Sequence, residues 1–369
     1  MMSKTALPIV LLLFLGLACK TEVTPPEPEP EADPFVMTSF LPQYAIDKAL
    51  IEQDLFYLAG RHKTQGSAIL VFDPGQASLL QEIPLASSLE FAGKSQQYLY
   101  TVDARGGVEH TLLERRDLAG QVLASYEADT HQLLPESFRR GAVAVDTADQ
   151  IWFGYYHFDI NANPIAQGLG LSRYVPDTDS LTTWDQTNSN LYGSWVQSVV
   201  VKGDQLYLSV MRQTDSMQAV GTFSEGQFTM LYEGSGIKHL ELQADGKVLI
   251  HFEDHRVMPV SDPQAYPSAL SDDYYFSEVA YLKDAQGHLY EIGTGIEEVP
   301  YMNYPPNIEF FPFVAKNGEV LLGRRTEFQL SEAVTLNPLT LYQHPAQPNA
   351  IWVIDWNNVK GFYKLNFPQ

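Results

Sequence analysis

The stretch Leu240-Glu-Leu-Gln-Ala-Asp245-Gly-Lys-Val248-Leu-Ile250 decides how this chain is read. Two apolar runs flank Asp-Gly, a pair that tolerates the positive φ of a tight turn. That is the chemistry of a β-hairpin. The same sentence recurs along the chain. It appears as Ala49–Gly60, Leu89–Tyr100, Val143–Gly154, Val199–Leu208, Val279–Tyr290 and Phe311–Leu322. In each, β-branched and aromatic residues alternate with polar ones on both sides of a polar turn. Helical periodicity is nearly absent; only Leu134–Arg140 has the pattern for a turn of helix.

The second strands of these hairpins begin at 55, 98, 151, 206, 248, 289 and 320. Their mean spacing is about 44 residues, with a short last step. Repeats of roughly 40–50 residues with four short strands each are the signature of a β-propeller. The fold class expected is therefore all-β: a single β-propeller over 45–369, with seven blades, or six if one hairpin is miscounted. Blades stacked face to face need apolar residues on both sides of every strand. That suits a chain that is 45% hydrophobic with 19 Phe and 20 Tyr. Residues 45–51 are expected to close the ring against the terminal hairpin Ile351–Trp356 and Gly361–Phe367.

Ahead of the repeats lies an address. Lys4 precedes an apolar run from Ala6 to Leu17, too short to span a bilayer. Residues 1–18 read as a secretory signal ending at Cys19, the only cysteine. Residues 19–44 then hold a Pro/Glu-rich tether, Lys20 to Pro34, biased to an extended and solvated chain. Leu15-Gly-Leu-Ala-Cys19 resembles a bacterial lipoprotein signal, which implies lipidation of Cys19. The resemblance implies a palmitate-bearing anchor in the outer membrane of a bacterial envelope. The overall plan looks like the stand-alone propeller lipoproteins of Bacteroidetes. One blade, Asp146–Gly154 with Gly170–Trp184, resembles the propeller repeat of two-component regulator sensors, with Asp149 where that repeat has Gly.

Asp and Glu number 45 against 23 Lys and Arg, a net charge of −22. This balance excludes a phosphate-rich partner such as nucleic acid and disfavours adsorption on anionic lipid. The membrane is then a partner through the lipid anchor alone.

Three clusters are candidate sites. His251, Glu253 and His255 alternate, so on a strand they would present two imidazoles and a carboxylate to a divalent ion. Asp159, Asn161 and Asn163 place oxygens as at the start of a calcium loop. Pro164 and Gly170 replace the Gly and Glu of an EF-hand, which leaves a looser calcium loop or a plain inter-strand loop. Tyr274, Tyr275, Tyr301 and Tyr304 set rings among turn residues, which suits sugar stacking or peptide docking as well as loop packing. No nucleophile elbow, zinc-protease helix, phosphate loop or dinucleotide fingerprint is present, and no catalytic residue is assigned. The expected function is a binding or scaffolding module for a protein or glycan. The rival is a propeller enzyme acting on surface glycans at the central channel.

Overall fold

The computed structural model describes residues 36–367 except 87–88, 104–111, 128–141, 155–169, 213, 255, 263, 265, 267–274, 300–306, 323–335, 337 and 356–360. Within them the chain forms seven antiparallel sheets, each built from strands consecutive in sequence. It is a seven-bladed β-propeller. The inner strands of blades one to seven are Tyr44–Glu52, Leu89–Lys94, Val143–Val145, Trp195–Lys202, Ile237–Leu242, Tyr275–Lys283 and Pro338–Tyr342. The only helical element among the described residues is the 3-10 turn Pro176–Thr178.

Seven buried apolar clusters hold the ring, one between each pair of neighbouring blades. The second strand of blade five shows why the sequence has this texture. Leu249 and Ile250 are adjacent and both fully buried. Successive side chains point to opposite faces. Leu249 therefore packs on blade six and Ile250 on blade four. A strand pressed from both sides reads as a near-continuous apolar run, as in Ala350–Asp355, where all six residues are buried.

Two expectations are corrected. The strand that closes the ring is Val36–Phe40, not residues 45–51. It pairs with Phe362–Asn366 as the outer strand of blade seven, whereas 45–51 belong to the inner strand of blade one. The closing strand thus falls inside the 19–44 stretch read as tether. Its alternation is weak because Thr38 and Ser39 are exposed on the perimeter. The hairpin Phe311–Leu322 is the third-to-fourth-strand turn of blade six. An Asn317-Gly318 pair makes the same local turn at the outer edge as at the inner one, so composition does not tell the two apart. The seventh inner hairpin is Pro338–Tyr342 with Ala350–Asp355. In blade five the described residues form three strands.

Because strand direction alternates outward in every blade, all first-to-second-strand turns leave by one rim. The second-to-third connections leave by the other. These are called the turn rim and the loop rim. At the turn rim Asp54, Asp149, Gly203, Gly246 and Gly287 take positive φ.

Candidate functional site

The inner wall is shaped by a repeated irregularity. Six inner strands shift register near their loop-rim ends, around Asp47, Ala92, Gln197, Lys238, Ser277 and Leu339. A bulge inserts one residue, bends the strand and re-aims its side chains. Just past these bulges lie Lys48, Ser198, His239 and Thr340, which tie the wall together.

Lys48 of blade one donates to the Ala92 carbonyl of blade two at 2.5 Å and to the Val143 carbonyl of blade three at 3.1 Å. Thr340 of blade seven donates to Oε1 of Glu241 in blade five. The Lys48–Val143 and Thr340–Glu241 contacts each reach past an intervening blade, which only a side chain on the channel side of the inner strands can do. Ser198 Oγ accepts from the Leu240 amide at 3.1 Å. Gln218 brackets Ile237, meeting its carbonyl and its amide at 2.7 Å each. Thr294 does the same for Leu336.

The acid of the wall is Glu241. Its Oε2 lies 2.7 Å from His251 Nε2, and its Oε1 accepts a hydrogen bond from Thr340 Oγ1. His239 stacks on His251 with ring centroids 4.4 Å apart and planes inclined by 10°. Burial, then His251 and Lys238, hold the His239 imidazole well below its ordinary value, so it is neutral at pH 7. Lys48 is pushed down to about 8 by burial, against the opposing pull of Glu90. A second buried pair, Tyr281 Oη to Glu291 Oε1 at 2.7 Å, sits in blade six.

At the turn rim, tyrosines reach the next blade's turn. Tyr100 meets Asp149 at 3.2 Å and Tyr342 meets Asp54 at 2.6 Å. Both phenols are raised, chiefly by burial and then by these carboxylates. Lys94 pairs with Glu52 at 2.7 Å.

Of the residues singled out in sequence, His251 lies in this wall, buried and bound to Glu241. The strand Val248–Phe252 ends before Glu253, which is exposed in a turn. The alternation expected to align 251, 253 and 255 therefore stops after one member, and His255 lies outside the described residues. So do Asp159, Asn161, Asn163, Tyr274, Tyr301 and Tyr304. Tyr275 begins the inner strand of blade six, opposite Ile296. The strands flanking all these positions end or begin at the loop rim. Among the described residues no three His, Cys, Asp or Glu side chains are grouped to hold a metal ion. No described helix is long and apolar enough to cross a membrane.

Sequence reasoning missed His239, Glu241, Lys48 and Thr340. The His239-x-Glu241 pair on a strand facing His251 was the available signal. Thr340 carries none, being 99 residues from its partner.

The assembled features define a seven-bladed β-propeller sealed by its own N-terminal strand. One solved structure agrees in fold. The chain is similar to a structure described as YCF48 bound to D1 peptide, with a TM-score of 0.52 and 10% identity over 92% of this chain and 97% of that one. It is also similar to the Cps50 (Swd1) β-propeller domain of Myceliophteria thermophila, with a TM-score of 0.46 and 13% identity over 90% and 98%. The propeller domain of the trilobed protease of Pyrococcus furiosus matches with a TM-score of 0.44 and 13% identity over 74% and 84%. At these identities the likeness is one of fold. No protein-family model and no curated protein matches the chain.

Proposed function

We propose that this protein is a lipid-anchored propeller of the bacterial envelope that serves as a binding or scaffolding module for a protein or glycan partner. Cys19 carries the anchor, and the Pro/Glu tether holds the ring away from the outer membrane. One observation carries the module reading. The charged groups of the inner wall are spent on the wall itself: Glu241 has both oxygens engaged and Lys48 donates to two carbonyls. A ring built this way offers its rims rather than its channel. A propeller structure described as bound to a peptide is compatible with that use.

His239 favours a second reading, a propeller enzyme acting on surface glycans at the channel. Among the described residues its contacts are the His251 ring and the Lys238 charge, and it is a neutral imidazole able to accept a proton.

Cross-linking and capture of the full chain from native membranes decides between them. A stoichiometric protein or glycan partner, retained equally by His239→Ala, is expected. Glycan hydrolysis by the purified protein that His239→Ala abolishes would replace the module with the enzyme. The anchor is tested apart: Cys19→Ala should release the protein from membranes and end palmitate labelling, and unchanged retention refutes it.

A further inference from the structure

Seven large apolar side chains are exposed among the described residues. All of them lie on the perimeter, on an outer strand or in the turn that leads into it. Met230 and Leu231 belong to blade four and Val320 to blade six. The other four, Leu80, Leu118, Val122 and Leu123, fall on the neighbouring blades one and two. These four adjoin. Gln81, next to Leu80, donates from Nε2 to the carbonyl of Ala119, next to Leu118, at 2.9 Å. A Cβ added at Gly120 would lie 2.5 Å from Ile83 Cγ2, so the outer edges of the two blades meet closely there. A contiguous exposed apolar patch marks an interaction surface, whereas single exposed apolar residues do not.

The same device sets Leu80 and Leu123 outward. Pairing passes from Phe72–Leu79 to Val71–Gln81 in blade one, and from Arg116–Val122 to Arg115–Ala124 in blade two. Each leucine is the extra residue of an outer-strand bulge, and each is 52% exposed. A bulge keeps further strands from adding to an edge, so docking here is through side chains. Aliphatic side chains offer a sugar neither hydrogen bonds nor a ring to stack on, so the occupant is a protein. Charge defines it further. Residues 74–85 and 117–127, which carry the patch, contain Glu82, Asp117 and Glu127 and no Lys or Arg. A second copy of this chain would set these acids against each other, and anionic lipid is repelled likewise. A basic protein surface is attracted.

We infer that the perimeter of blades one and two docks a protein partner whose own surface is an apolar patch flanked by Lys and Arg. The inference rests on the module reading and gives its partner a class and a place. The test uses the full chain in native membranes, with the photo-crosslinker p-benzoylphenylalanine replacing Leu80 or Leu123. Both positions should give the same adduct with another protein, and mass spectrometry of the attached segment should show apolar residues beside Lys or Arg. The crosslinker at Met230 in blade four should not give it. Leu80→Gln with Leu123→Gln should lower co-purification of that partner by at least about tenfold with the melting temperature kept. Should that pair fail to fold, Leu118→Gln with Val122→Thr is expected to do the same. An adduct of two copies of this chain, an adduct with lipid alone, no adduct, or an attached segment without Lys and Arg overturns the inference. A captured partner that survives all four substitutions overturns it too, but leaves the module reading standing without this surface.

Discussion

Single residues set the closure of the ring. Gly361 takes a φ of 81°, a left-handed value that favours glycine. A Cβ there would overlap the Phe40 carbonyl oxygen of the closing strand. Gly361→Ala should therefore cost about 2–4 kcal/mol, combining backbone strain with a steric clash. Denaturant unfolding measures this, and amide exchange should show protection lost first at 36–40. A variant as stable as the parent, with 36–40 still protected, would refute the assigned closure. Thr340→Val is a second test. It removes a donor from buried Glu241 without changing volume, and should cost about 1–3 kcal/mol. A neutral result would mean that the bond across blades five and seven does not stabilise the ring.

Strands and blades carry the pH response. His239 on the inner strand of blade five has a folded pKa far below the roughly 6.5 of an unfolded histidine. The unfolded chain binds a proton that the folded chain refuses. Its contribution is therefore fully present above about pH 6.5 and is lost as pH falls below that value. One such group lowers stability by up to about 1.4 kcal/mol per pH unit. His239→Leu should flatten this acid slope in unfolding titrations from pH 7 to 5. Lys48 acts with the same sign in the alkaline range. Its folded pKa of about 8 lies below the roughly 10.4 of a free lysine. Stability should rise with pH between these values, and Lys48→Met should remove that rise. Parent and variant sharing the same alkaline profile would show that Lys48 is solvated like any surface lysine. At this scale much was legible. The hairpins of blades one to six were visible as alternation around Asp-Gly or related turns. The seventh was not, because Gln343–Asn349 is a longer connection without that pair, while Asn317-Gly318 imitates it at an outer edge.

For the whole molecule, closure by one terminal strand predicts cooperativity. Removing residues 36–40 deletes the outer strand of blade seven and exposes the edge of Phe362–Asn366. It also strips Phe40 from Trp352, whose rings lie 4.9 Å apart. The truncated chain should lose its single sharp thermal transition. A permutant that places the strand after 367 should regain it. Equal melting of all three forms would mean that the ring is held by the seven inter-blade clusters alone.

Sequence by itself determined the architecture: four-stranded units recurring about every 44 residues, apolar on both faces, can bury themselves only against copies of themselves. It also set the net charge of −22. The tertiary structure alone decided which strand closes the ring, and which polar side chains face one another across it. Glu241 and Thr340 meet because blade curvature brings them together over 99 residues, and no local pattern encodes that distance.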